Sequence, residues 1–178
     1  MKRLTRVGAA LLLFCAVAIA PLAANQSFSA HIGGNFFRYD TSYLTTGVSS
    51  LTNLREDLEL DIGVFFGIAT EKDDDGETVP SFLIPVNLGL NFLFPTNSAV
   101  FLLGAGVTPV FNFSDADNGG NEFYMGPYIA AGARLKIHPV MSWFVRAQQD
   151  LLIGGDDWIN TATRLTTGIN FTLGEPTN

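Results

Sequence analysis

"DLELDIGVFFGIATEKDDDGE", residues 57–77, decides how this chain folds. From 58 to 68 every even position is apolar (Leu58, Leu60, Ile62, Val64, Phe66, Ile68), while the odd positions run Glu59, Asp61, Gly63, Phe65, Gly67. Alternation with period two marks a strand, because successive side chains point to opposite faces. Two arrangements suit such a strand. Either the apolar face meets a protein core and the carboxylates meet water, or the apolar face meets lipid and the carboxylates lie inside a closed barrel.

The same pattern recurs downstream. Residues 81–114 carry no charge, yet Pro85, Asn87, Asn91, Pro95, Asn97 and Pro109 interrupt them, so no uninterrupted apolar helix of about 20 residues can be drawn there. Strand period fits instead. In "FLIPVNLGLNFLF" (82–94) the even positions are all apolar and the odd ones include Asn87, Gly89 and Asn91. The turn "PTNS" follows, and "AVFLLGAGVTPVFNF" (99–113) returns with Phe101, Leu103, Ala105 and Val107 opposite Gly104, Gly106, Thr108 and Asn112, a hairpin signature. Alternation continues over 123–137, 141–151 and 159–173. Ser27 to Tyr39 alternates through Phe28, Ala30, Ile32 and Phe36, and 43–54 carries a weaker pattern of Thr, Ser and Leu. Eight strands are therefore expected, an even number that returns both ends of a closed antiparallel barrel to one side.

Charge placement separates the two arrangements. Glu59, Asp61, Arg134, Lys136, Arg146, Asp150 and Arg164 all fall on the less apolar face of their strands. A water-facing surface would carry many charges of both signs. This face is instead sparse in charge and rich in Gly, Asn and Thr, as expected of a packed polar lumen in which those seven residues form a charge network. Residues 82–94 at ~3.3 Å each, tilted ~45°, rise about 30 Å, the hydrocarbon thickness of a bilayer. Phe92, Phe94, Trp143 and Phe171 gather toward short turns and Phe82, Phe111, Phe113 and Phe123 toward long loops, as two interfacial girdles would require.

Residues 1–24 read as an export signal. Lys2, Arg3 and Arg6 precede the apolar run "VGAALLLFCAVAIA", and "PLAA" closes it with small residues. The chain's one cysteine, Cys15, lies in that run behind Phe14, which is too bulky for the small residue that precedes an acylated cysteine. Residues 25–178 then form one barrel domain without a thiol, which removes cysteine catalysis and a disulfide framework. Without the three basic signal residues, seven of the 10 Lys+Arg stand against 17 Asp+Glu, so no basic patch for nucleic acid is present. The short connections "PTNS" and "HPV" are expected in the periplasm, and the longer acidic "EKDDDGET", "SDADNGGNE" and "GGDDW" outside.

On these patterns the chain resembles the small eight-stranded outer-membrane barrels, the family of the OmpA transmembrane domain and OmpX, with OmpW-like proteins as wider relatives. The resemblance implies an all-β transmembrane barrel in the cell outer membrane of a double-membraned bacterium. It implies contact with outer-membrane lipid and with the barrel assembly machinery, and points to envelope integrity or surface interaction, with extracellular or host ligands met through the acidic loops. Two other readings stay open at this level, a narrow porin-like channel for small or hydrophobic solutes and a soluble periplasmic ligand-binding barrel. Pro85, Pro109 and Pro127 each remove a ladder donor, and bulges toward the long-loop end are expected to absorb them.

No catalytic, cofactor or metal site is expected. His31, on the inward face of the first strand, reads as a hydrogen-bonded lumen histidine, without a visible serine and acid at matching spacing. His138 beside Pro139 reads as a turn residue. The oxygen ligands of 115–122 lack EF-hand spacing, and that loop reads as a solvated acidic one.

Overall fold

The computed structural model describes residues 26–72, 78–114, 121–155 and 158–173. The export signal at 1–24, the acidic run 73–75 and most of the 115–122 loop lie outside the described residues. The rest forms eight strands: β1 (Gln26–Phe37), β2 (Thr41–Arg55), β3 (Leu58–Lys72), β4 (Thr78–Pro95), β5 (Ala99–Ser114), β6 (Glu122–His138), β7 (Met141–Gly154) and β8 (Ile159–Leu173). Each pairs antiparallel with its neighbours in sequence, and β1 pairs with β8 to close the barrel. Closure leaves no strand edge unpaired, which is why such a sheet can stand in lipid.

Three tight connections lie at one end: Glu56 and Asp57, residues 96–98, and Pro139 and Val140. In the second, Thr96 donates its hydroxyl to the Ala99 carbonyl at 2.8 Å and accepts from the Ala99 N–H at 3.1 Å. The other two sit beside register shifts at Asn53/Arg55 and Lys136/His138. At the opposite end the first connection departs from the expectation of long loops, since 38–40 is a three-residue turn. Arg38 and Tyr39 take φ of 56° and 60° there, a conformation bulky side chains hold only when contacts enforce it. One such contact is the Arg38 N–H to the Thr161 carbonyl at 2.9 Å.

The two faces sort as the alternation requires. Even positions of β1 to β4 and odd positions of β5 to β8 point outward, so Leu103 and Ile129 are 54% and 67% exposed. A soluble barrel would hold those residues inside, and the fold excludes that arrangement. In β2, Leu44 and Val48 face outward while Tyr43, Thr45, Ser49 and Leu51 are buried. Its inward face mixes apolar and hydroxyl side chains, which is why its pattern is weak in the sequence.

The prolines are accommodated without the expected bulges. Pairing is interrupted between Val64/Val86 and Gly67/Leu83, between Pro85/Val110 and Leu88/Val107, and between Met125/Ile153 and Tyr128/Asp150, yet the register on either side of each gap is the same. A proline costs the ladder a donor but not a residue, so the strands skip bonds rather than shift. Beside Pro109, Thr108 Oγ1 supplies a donor to the Val86 carbonyl at 3.1 Å.

The interior is layered. At the end of the 38–40 turn each strand contributes one residue to an apolar collar, Phe37, Tyr43, Ala69, Leu83, Val110, Tyr124, Leu152 and Ala162. Phe37 meets Tyr124 and Tyr43 edge-on at 5.2 and 6.3 Å between ring centroids. Below the collar the lumen is mostly polar, with Leu51, Phe65, Leu102, Ala130 and Phe144 buried among its polar side chains.

Candidate functional site: the lumen network

Six of the seven charged residues expected in the lumen are drawn into ion pairs there. Nearest the tight turns, Arg134 of β6 reaches Glu59 of β3 with Nη1 to Oε2 at 2.7 Å and Nη2 to Oε1 at 2.6 Å. Asn91 Nδ2 adds a third donor to Glu59 at 2.9 Å. One layer up, Arg146 of β7 pairs with Asp61 of β3. Above that, Arg164 of β8 lies 3.5 Å from Asp150 of β7. Among the described residues these paired lumen charges balance, three carboxylates against three guanidiniums. Balance matters because an unpaired ion in this setting would cost several kcal/mol.

Neutral side chains knit the layers together. Asn87 and Gln148 exchange amide hydrogen bonds at 2.8 and 3.2 Å, Arg164 Nη1 donates to Asn87 Oδ1 at 3.2 Å, and the Thr108 hydroxyl shares its one proton between that oxygen, 3.2 Å away, and the Val86 carbonyl. Gln148 also donates to Asp150 at 2.7 Å. Arg164 crosses the lumen far enough to stack over the Phe65 ring, 4.5 Å from its centroid. Glycines make room for the larger groups: a Cβ on Gly89 would stand 2.1 Å from Tyr128 Oη, and one on Gly106 would stand 2.8 Å from the same ring. Tyr128 thus lies flat against a wall that only glycine can form.

Lys136 stands apart from this network. The register shift at Lys136/His138 ends the regular barrel there, and Lys136 is exposed at the rim of the tight-turn end. His138 is exposed in the same turn, its Nδ1 accepting from the Val140 N–H at 3.4 Å.

His31 has a partner that the sequence did not disclose. Its Nε2 lies 3.0 Å from Ser49 Oγ, and its ring packs edge-on between Phe65 and Phe144 at 5.0 and 4.7 Å. Both residues are buried inside the lumen, and the nearby Asp61 carboxylate is taken by Arg146. Ser49 sits 18 residues along the chain and diagonally across a strand pair in which His31 faces Gly47. Such a pairing is readable only once the register is known. Among the described residues no group of three His, Cys, Asp or Glu could hold a metal ion.

Little space remains between these side chains. An interior void lined by His31, Leu102, Arg134 and Arg146 measures about 10 Å³, room for about one water. The larger hollows, about 460 and 610 Å³, lie on the outer wall.

A closed eight-stranded barrel with an apolar outer face and an ion-paired, filled lumen is a transmembrane β-barrel of the outer-membrane type. Solved structures share this fold. Neisserial surface protein A superposes with a TM-score of 0.66 at 12% identity, over 84% of this chain and 96% of that one. AlkL, determined in DMPC lipid bilayers, gives 0.59 at 11% identity over 89% and 96%. The outer membrane protein OprG of Pseudomonas aeruginosa gives 0.56 at 12% identity over 85% and 97%. No protein-family model matches the sequence, and no curated protein matches it.

Proposed function

We propose that this protein is a non-enzymatic, integral outer-membrane barrel whose filled lumen serves rigidity rather than transport, and whose role is envelope integrity or surface interaction. The observation that carries this reading is the set of side chains crossing the lumen: the bidentate Arg134–Glu59 pair, Arg146–Asp61, and Arg164 reaching Asp150, Asn87 and Phe65. An eight-stranded barrel is just wide enough for its own side chains to fill. Here they do so with balanced charges, and the apolar collar closes the other end. Paired ions and interlocked amides fix strand positions from within, as suits a scaffold that displays its loops.

Single-channel recording of the refolded protein in planar bilayers tests the reading. Silence at all applied voltages is the expected result. Steady, ion-selective conductance would replace it with a narrow channel, in which the same charges line a path.

A further inference from the structure

Strands β6 to β8 present an outer wall unlike the rest of the apolar belt. Ala131, Ala133, Ala147 and Thr167 lie there between the taller Ile32, Phe101, Leu103 and Leu165. Two hollows result, of about 460 and 610 Å³, which share Ala131 and Ala147 and so form one groove. From Gln149 to Val145 along β7 the groove runs roughly 13 Å at 3.3 Å per residue.

Gln149 stands at its upper end. Between the strand ends it is the one outward amide side chain among the described residues. Thr163 Oγ1 donates to its Oε1 at 2.6 Å, and Tyr39 Oη lies 3.2 Å from the same oxygen and 2.9 Å from Thr163 Oγ1. A hydroxyl accepts as readily as it donates, so the acceptor-only Asp150 carbonyl beside the nitrogen is what orients the amide, with its oxygen toward the hydroxyls and its NH2 as the donating end. One contact from that nitrogen goes to the Asp150 carbonyl at 3.4 Å. A second N–H is left to donate, and hydrocarbon offers it no acceptor. Tyr39 springs from the 38–40 turn at the barrel rim, which puts this end of the groove near the interface where aromatic residues with a polar tip settle.

We infer that this groove seats one acyl chain of an outer-leaflet lipid, with its methylenes in the hollow and its ester or amide carbonyl accepting from Gln149 Nε2. The groove is continuous with the lipid-facing belt, so its occupant comes from the bilayer. The groove is shallow, but its small residues between taller ones give a chain side contacts that a level wall lacks, and dispersion sums over them. The donor at the head end selects a chain that carries an acceptor. This inference rests on the outer-membrane reading above.

Native mass spectrometry of the mature chain, refolded into nanodiscs of dimyristoylphosphatidylcholine and then released, tests it. The wild type is expected to retain one lipid. Gln149→Leu, which removes the donor, and Ala147→Leu, which fills the groove, should each lower the retained fraction about tenfold, the ratio one lost hydrogen bond gives. Leu88→Ala, on the far wall, should leave it unchanged. If Ala147→Leu does not fold, Ala147→Val should show the same direction of change. Equal retention in wild type and groove variants, or no retained lipid on a protein that does insert, would overturn the inference. A dimer abolished by Ala147→Leu would also overturn it by making a second copy the occupant. Failure to enter nanodiscs at all would instead strike the outer-membrane reading on which it rests.

Discussion

Arg134 and Glu59 hold each other across the barrel, from β6 to β3, with two parallel hydrogen bonds at 2.7 and 2.6 Å. Glu59 is 2% exposed, so the pair cannot be replaced by water on one side. Glu59→Gln leaves the guanidinium without its counter-charge and should cost about 3–5 kcal/mol. Joint replacement by Glu59→Leu and Arg134→Met should recover most of that loss, because no buried ion remains. Urea unfolding of the refolded protein in lipid vesicles measures both. A Glu59→Gln variant as stable as the wild type would show that the pair does not tie the strands.

Tyr128 gives a steric test of the filled lumen. A methyl group at Gly89 would meet Tyr128 Oη at 2.1 Å and the Ala105 carbonyl oxygen at 2.6 Å, so Gly89→Ala should destabilise by about 1–3 kcal/mol. Tyr128→Phe removes the closer obstacle but not the backbone one. Combined with Gly89→Ala it should restore part of the loss. Full tolerance of Gly89→Ala would mean that Tyr128 does not rest on β4.

Orientation follows from which end carries the tight turns. The one cysteine of the chain is Cys15, so in a Cys15→Ser background single cysteines introduced into the barrel can be labelled alone. A membrane-impermeant maleimide applied to intact cells should modify Asp40→Cys, in the turn between β1 and β2, and should spare Asn97→Cys, between β4 and β5. Labelling of Asn97→Cys alone would invert the barrel.

Much of this was legible in the sequence because lipid on one side and a polar lumen on the other enforce strict alternation. Leu58 to Ile68 and 82–94 show it with hardly an exception, and the inward charges could be read off the same parity. Four things were not legible. The collar was hidden because Phe37, Leu83, Val110 and Leu152 are apolar residues on the polar face, where composition alone marks them as irregular. The Ser49 partner of His31 and the exclusion of Lys136 both depend on register, which alternation does not fix. The prolines suggested bulges, since a missing donor and an extra residue disturb a ladder alike when only the sequence is seen. The structure separates the two, with skipped bonds at constant register.

The central claim is that the outward apolar face meets lipid, and Leu88 tests it most directly. Leu88 is 48% exposed on the outer wall, while its neighbour Asn87 is 1% exposed within the lumen. In water, Leu88→Arg would exchange an exposed apolar side chain for a soluble one at no cost. In a bilayer it places a cation near the midplane, at about 2–4 kcal/mol. The measurement is the unfolding free energy of Leu88→Arg against wild type after refolding into phosphatidylcholine vesicles. A loss in that range is the expected result, and stability equal to or above wild type would contradict the claim.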